Sequence, residues 1–150
     1  ACMEFAPMAW AISAALGTAF GYRGAPVVCI TGDGSVLMAG QELTVAVQHG
    51  LPVVFVILND AALGMVKHGQ RLGGGEPVGY EIASVDFAAV AEAMGAAGYR
   101  IESPADMEAL DIDAITSRDG PTVIDVRIDG EQTPPMGTRM KVLGAGKQVS

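Results

Sequence analysis

Two short stretches carry residue types able to do chemistry: Gly32-Asp33-Gly34-Ser35, and Asn59-Asp60 after a spacer of 24 residues. Each closes an apolar run, Val27 to Thr31 in the first case and Val53 to Leu58 in the second. Runs without polar alternation read as strands covered on both faces, as in a parallel sheet. In open α/β sheets, ligands collect beyond the carboxyl ends of the strands. Glycines after the first strand let backbone N–H groups approach an anion, and a helix starting there adds a favourable field for phosphate. Asp33 contradicts a bare phosphate site, because a carboxylate repels phosphate, and a divalent cation between them removes the contradiction. Asn59 and Asp60 both offer hard oxygen ligands of the kind Mg²⁺ takes. Strands joined by one crossover helix tend to be neighbours, so the two groups can converge. The residues point to a Mg²⁺-bridged diphosphate site. Taken singly, Gly-Asp-Gly is most often a turn, and Asn-Asp a turn or helix cap. Their joint placement after successive strands is what sets them apart.

Other chemistries find less support. His49 and His68 have no metal-ligand spacing and no carboxylate close in sequence, which assigns them surface or packing roles. No Gly-x-Gly-x-x-Gly follows the first strand, and neither a Walker sequence nor a Gly-x-Ser-x-Gly elbow is present.

The elements that must position these residues alternate along the chain. Met8 to Tyr22 reads as an Ala-rich helix with so few polar positions that burial on most sides is expected. After the strand Val27–Thr31 and the Gly32–Ser35 turn, the spacing predicts a helix from Val36 to His49, stopped by Gly50 and Pro52. The strand Val53–Leu58 precedes a short helix around Met65 to Arg71 and the loop Gly73-Gly74-Gly75. Asp86 is placed to cap a helix from Phe87 to Met94 ended by Gly95. A strand at Tyr99–Glu102, a helix starting at Ser103-Pro104 and reaching Ser117, and a last strand Pro121–Ile128 complete the pattern. This alternation implies an α/β fold: right-handed βαβ units forming an open parallel sheet with helices on both faces. The whole of residues 1–150 reads as one domain, with a tail of no clear periodicity from about Gly130.

Composition narrows the function classes. The chain has 150 residues, 50% hydrophobic and 17% charged, enough for a core of one domain. Nine basic residues against seventeen acidic ones give a net charge of -8, which disfavours nucleic acid and acidic membrane surfaces as partners. Cys2 and Cys29 make no disulfide framework, so a reduced, cytoplasmic protein is expected. The apolar stretch Phe5 to Phe20 has sixteen residues, short of the roughly 20 a membrane span requires. The chain opens inside what reads as ongoing structure and is expected to be a piece of something longer.

Gly32-Asp33-Gly34, the spacer and Asn59-Asp60 together resemble the motif of thiamine-diphosphate-dependent enzymes, in which a Gly-Asp-Gly element is followed at this distance by Asn-Asn. Both flanks agree. Ala6-Pro7-Met8-Ala9-Trp10-Ala11-Ile12-Ser13 resembles the family's entry helix, often written GxMGxxLP, and Leu63-Gly64-Met65-Val66 resembles the LGMV of acetolactate-synthase-like members. The resemblance covers the whole chain and implies the C-terminal, diphosphate-binding domain of that family. It further implies thiamine diphosphate and Mg²⁺ as cofactors, with Asp33, Asp60 and the Ala62 carbonyl on the metal. Gly32, Gly34, Ser35 and the backbone of Leu63, Gly64 and Met65 would hold the diphosphate. Met8 would sit under the bent cofactor, the Ala6 carbonyl would take a hydrogen bond from the aminopyrimidine, and Met38 would approach that ring.

The resemblance also implies an activating glutamate, supplied by another domain across a dimer interface. None is found in this sequence, so upstream domains are expected to carry it, and the chain alone is expected to be inactive. Its implied function is to anchor the cofactor in a carboligase or lyase acting on 2-ketoacids, with pyruvate decarboxylation and carboligation as the leading activity. A homo-oligomer, dimer or tetramer, is implied, with room for FAD in a further domain. Where biosynthetic members carry a tryptophan shortly after GMV, this chain has Gly69, which implies small acceptors. A 2-ketoacid decarboxylase, another carboligase, an unrelated Mg²⁺–phosphate binder, or a non-catalytic domain retaining the fold are the competing readings.

Overall fold

The computed structural model describes residues 7–133. Four strands, β1 (Val27–Gly32), β2 (Val53–Asn59), β3 (Ala97–Ile101) and β4 (Thr122–Arg127), form one sheet in the order β1-β2-β4-β3. All three pairings are parallel, with Gly32 opposite Leu58 and Leu58 opposite Val126, so the carboxyl ends line one edge. The helices are α1 (Trp10–Gly21), α2 (Asp33–Ala39), α3 (Leu43–Gln48), α4 (Gly64–Leu72), α5 (Phe87–Ala93), α6 (Pro104–Glu108) and α7 (Ile112–Thr116). The expected open parallel α/β sheet is what the chain forms.

Two compact units share the chain. One consists of residues up to Asn59 together with Val85–Ile128 and holds the whole sheet; the other consists of Asp60–Ser84 and the residues from Asp129 onward. In the first unit, side-chain alternation along β2 feeds two cores. Val53, Phe55 and Ile57 join Ile12, Leu16 and Ala19 of α1, Leu43 and Ala46 of α3, and Phe87 and Ala91 of α5. Val54 faces the other way, into a smaller core with Ile101, Ile115, Ile124 and Val126. Helices therefore lie on both faces. Each fully buried Leu, Ile or Val contributes roughly 1.5–3 kcal/mol, so the larger face dominates stability.

Five expectations are corrected. α1 buries a single stripe, Ile12, Ala15, Leu16 and Ala19, while Trp10 and Phe20 remain about half exposed. β1 is covered on one face only: Cys29 is buried, but Val28 and Ile30 are 58% and 64% exposed, because β1 is an edge strand and the smaller core is built on β2, β3 and β4. No turn separates β1 from the next helix, since Gly32 is extended and Asp33 already begins α2. The helix expected over Val36–His49 is interrupted by a 3-10 turn, Gly40–Glu42. There a methyl group on Gly40 would come to 2.8 Å from Val36 Cγ1, and glycine is a poor helix former. The helix expected to reach Ser117 also divides. Ser103 and Asp106 form a reciprocal cap at its start, and Asp111 then accepts from the Ala114 N–H at 2.9 Å, starting a new helix. Asp86 caps α5 as expected, its carboxylate accepting from the Ala89 N–H at 3.0 Å.

One glycine sets how closely α5 lies on β3. A methyl group at Gly98 would fall 2.3 Å from the Ala88 carbonyl oxygen. Gly98→Ala is therefore expected to destabilise by about 1–3 kcal/mol through overpacking against backbone. Gly17→Ala, at an exposed α1 position with nothing within 4 Å, should instead stabilise by about 0.5–1 kcal/mol. Urea midpoints of the two variants check this, and shifts in the same direction would contradict it.

Candidate functional site

In the first unit, the strand end at Gly32 delivers Asp33 into the interior: the residue is 4% exposed and its Oδ1 accepts from the Gly34 N–H at 2.7 Å. Gly34 is buried with it, Ser35 is half-buried, and Met38, one turn on, is 58% exposed. Met8 is about half exposed and directly precedes Ala9, which has a positive φ of 68° before α1 begins. That left-handed conformation favours glycine, the residue the family's entry-helix pattern has there. Ala6 and Phe5 lie outside the described residues.

Asn59 does not serve as the oxygen ligand its type suggested. It is 2% exposed, and its amide donates to Asp125 Oδ1 at 2.8 Å and to the Val85 carbonyl at 3.1 Å. Asp125 has no exposure at all; its Oδ2 accepts from the Phe87 N–H at 3.0 Å and from Arg127 Nη2 at 3.3 Å. The Asn59 side chain thus stabilises the sheet interior. Sequence reasoning passed over Asp125, although a carboxylate inside the apolar run Thr122–Val126 was a usable signal, since buried charges need partners. An apolar cavity of about 240 Å³ in the same unit is lined by Val36, Leu43, Ile57 and Phe87. Cys29 is a packing residue whose thiol is pushed up by burial, which keeps it protonated and unreactive near neutrality.

In the second unit, the loop from Asp60 to Leu63 is held from two sides. Leu63 donates its N–H to the Tyr80 carbonyl at 2.6 Å and Ile82 donates to the Ala61 carbonyl at 3.1 Å, giving an antiparallel bridge between Ala62 and Glu81. These bonds use the groups flanking Ala62, so the carbonyl of Ala62 itself points out of the ladder. Ala61 has a positive φ of 53°, a conformation that costs an alanine roughly 1–2 kcal/mol and marks the loop as locally strained. Asp60 is half-buried between two glycines: a methyl group on Gly64 would stand 3.2 Å from Asp60 Oδ2, and one on Gly130 3.0 Å from the same oxygen. Leu63 precedes α4, while Gly64 and Met65 are its first two residues.

Lys67 was not singled out by the sequence, and no local signal marks it. It is 5% exposed, donates to the Gly130 carbonyl at 3.0 Å and to Glu131 Oε1 at 2.5 Å, and stands 5.5 Å from the centre of the Tyr80 ring. Arg71, four residues on along α4, donates to the other Glu131 oxygen at 2.6 Å. His68 is buried, with Nδ1 3.5 Å from Thr133 Oγ1, and His49 packs against Phe20. Among the described residues no three His, Cys, Asp or Glu side chains cluster as a metal site.

The first unit, an open parallel α/β sheet with a buried carboxylate opening the helix after β1, defines the class of fold. Residues 2–126 match the family of thiamine pyrophosphate enzymes, C-terminal TPP binding domain. The chain belongs to that family, and its cofactor is thiamine diphosphate. It is 38% identical over 135 residues to the acetolactate synthase large subunit of Haemophilus influenzae, and 39% identical over 137 residues to the large subunit of acetolactate synthase isozyme 3 of Escherichia coli. Each alignment covers 88% of this chain and 24% of the relative, so the chain spans about a quarter of the length of the curated relatives it matches. Among solved structures, the benzoylformate decarboxylase of Polynucleobacter necessarius superimposes with a TM-score of 0.71 at 30% identity, over 83% of this chain and 23% of that one.

Lys67 first, and Arg71 second, hold the Glu131 carboxyl down to about 2 from an ordinary 4.5. A depressed carboxyl stabilises the fold above its unfolded value and loses that contribution as pH falls through the folded one. The stability gap between the wild type and Glu131→Gln is therefore expected to be constant above about pH 5.5, to shrink below 4.5 and to close near pH 2. Urea titrations across this range check it, and a gap independent of pH would contradict the pairing.

Proposed function

We propose that this chain anchors thiamine diphosphate through Mg²⁺, in a 2-ketoacid carboligase or lyase of the acetolactate synthase type. The glycine cradle around the Asp60 carboxylate carries the reading, because it keeps a hard anionic oxygen clear of side chains in a loop whose neighbouring carbonyl, that of Ala62, points out of its ladder. Asp33 and Asp60 would each offer the metal a carboxylate oxygen and Ala62 its carbonyl, the hard oxygen donors Mg²⁺ takes. Gly32, Gly34 and Ser35 with the backbone of Leu63, Gly64 and Met65 hold the diphosphate. Met8 supports the thiazolium and Met38 lies against the aminopyrimidine; Ala6, the remaining candidate for that ring, lies outside the described residues.

Bound thiamine diphosphate supplies an ylid that adds to a carbonyl and then stabilises the carbanion. This chain's own residues bind and orient; the activating glutamate, and FAD where it is used, belong to other parts of the full-length protein. The working enzyme is a cytoplasmic homo-oligomer, at least a dimer, acting on pyruvate, and Gly69 leaves room that suits small acceptors. The benzoylformate decarboxylase likeness favours a second reading, simple 2-ketoacid decarboxylation on the same anchor.

Without a cation, a carboxylate and a phosphate about 4 Å apart repel by about 4 kcal/mol at an effective dielectric near 20. Calorimetry on the natural full-length protein is therefore expected to show thiamine diphosphate binding with Mg²⁺ and none in chelator. Asp33→Ala should weaken binding by at least about 100-fold, whereas Asp60→Asn, whose amide oxygen still ligates, should stay within about tenfold. Equal affinity in chelator, or unaltered binding by Asp33→Ala, would overturn the reading.

A further inference from the structure

We propose that Lys67 and Glu131 are positioning residues for the Asp60 carboxylate, acting through Gly130, and that they set the preference of the site for Mg²⁺ over larger cations. The inference rests on the metal role of Asp60 given above. Its observations all lie in the second unit.

Asp60 has little room to move in one direction. A methyl group at Gly130 would stand 3.0 Å from its Oδ2, 3.1 Å from its Cβ and 3.4 Å from its Cγ, so the Gly130 backbone forms one wall of the carboxylate's cradle. That wall is tied down by the residue least suited to burial. Lys67, 5% exposed, donates directly to the Gly130 carbonyl at 3.0 Å and pairs with Glu131, the next residue. A buried ammonium is costly unless paired and hydrogen-bonded, and here both partners come from the same two-residue segment. Arg71 takes the second Glu131 oxygen, so the carboxylate is gripped by two cations from successive turns of one helix. A second wall, on the same Oδ2, is Gly64, the first residue of that helix. Lys67, in α4 and bonded to the Gly130 carbonyl, therefore couples both walls of the cradle. Its ammonium also stands over the Tyr80 ring, whose backbone carbonyl holds Leu63.

The chemical consequence is selectivity. Mg²⁺ demands near-ideal octahedral geometry at about 2.0–2.1 Å, whereas Ca²⁺ accepts irregular shells at about 2.3–2.6 Å. A carboxylate held by rigid walls suits the smaller ion, and loosening a wall penalises Mg²⁺ more than Ca²⁺. Supporting groups of this kind typically change metal affinity by about 10–100-fold. A purely structural role would lower both affinities in the same proportion.

The test titrates Mg²⁺ and Ca²⁺ separately by calorimetry into the full-length protein with saturating thiamine diphosphate, without reference to turnover. Lys67→Met, Glu131→Ala and Gly130→Ala are each expected to weaken Mg²⁺ by about tenfold or more while Ca²⁺ changes by less than about threefold. Lys67→Arg, which keeps the charge and donors, should retain most of the Mg²⁺ preference. Variants that lose both ions equally, or neither, while the wild type binds Mg²⁺, would overturn this proposal and leave the metal role of Asp60 standing. A wild type that binds no Mg²⁺ would overturn that role, and this inference with it.

Discussion

A fully buried carboxylate governs the architecture of the sheet. Asp125 sits inside β4 with no solvent to satisfy it, and an unpaired charge there would be strongly destabilising. Its oxygens are met by the amide of Asn59 at the end of β2, the backbone N–H of Phe87 at the start of α5, and the guanidinium of Arg127. Three elements are fastened at one point, and the point lies at the carboxyl ends of the strands. Arg127 also donates to the Val85 carbonyl at 2.8 Å, as Asn59 does at 3.1 Å, so the chain entering α5 is tied to the same centre. The end of β2 is thereby fixed at Asn59, and Asp60 is the next residue.

This division of labour explains why a motif pair differing only by one oxygen against one nitrogen behaves so differently. Asn59 and Asp60 are adjacent, yet the first is consumed by the interior of the sheet and the second stands in a glycine-walled loop. A donor is needed at 59 because its neighbour is a carboxylate; aspartate there would place two buried anions side by side.

Much of the fold was legible because it is written in periodicity. The continuous apolar runs at Val27–Thr31 and Val53–Leu58 and the caps at Asp86 and Ser103 all have local physical causes, and both strands formed within a residue of expectation. What the sequence hid depends on partners distant in the chain. The exposed face of β1 follows from its position at the edge of the sheet. The Asp33 and Asp60 positions could be picked out from spacing after strands. Lys67 and Glu131 could not, since they are 64 residues apart and nothing about either marks it for burial or pairing. The family match supplies the cofactor; the division of roles among residues follows from burial and hydrogen bonding.

Under the proposed function, Asp33 and Asp60 share one divalent cation with thiamine diphosphate. The most direct measurement is a crystal structure of the full-length protein grown with thiamine diphosphate and Mn²⁺, with the metal located by its anomalous signal. One peak is expected within ligand distance of a carboxylate oxygen of Asp33, one of Asp60 and the carbonyl of Ala62. A bound cofactor whose metal lies away from either carboxylate would contradict it.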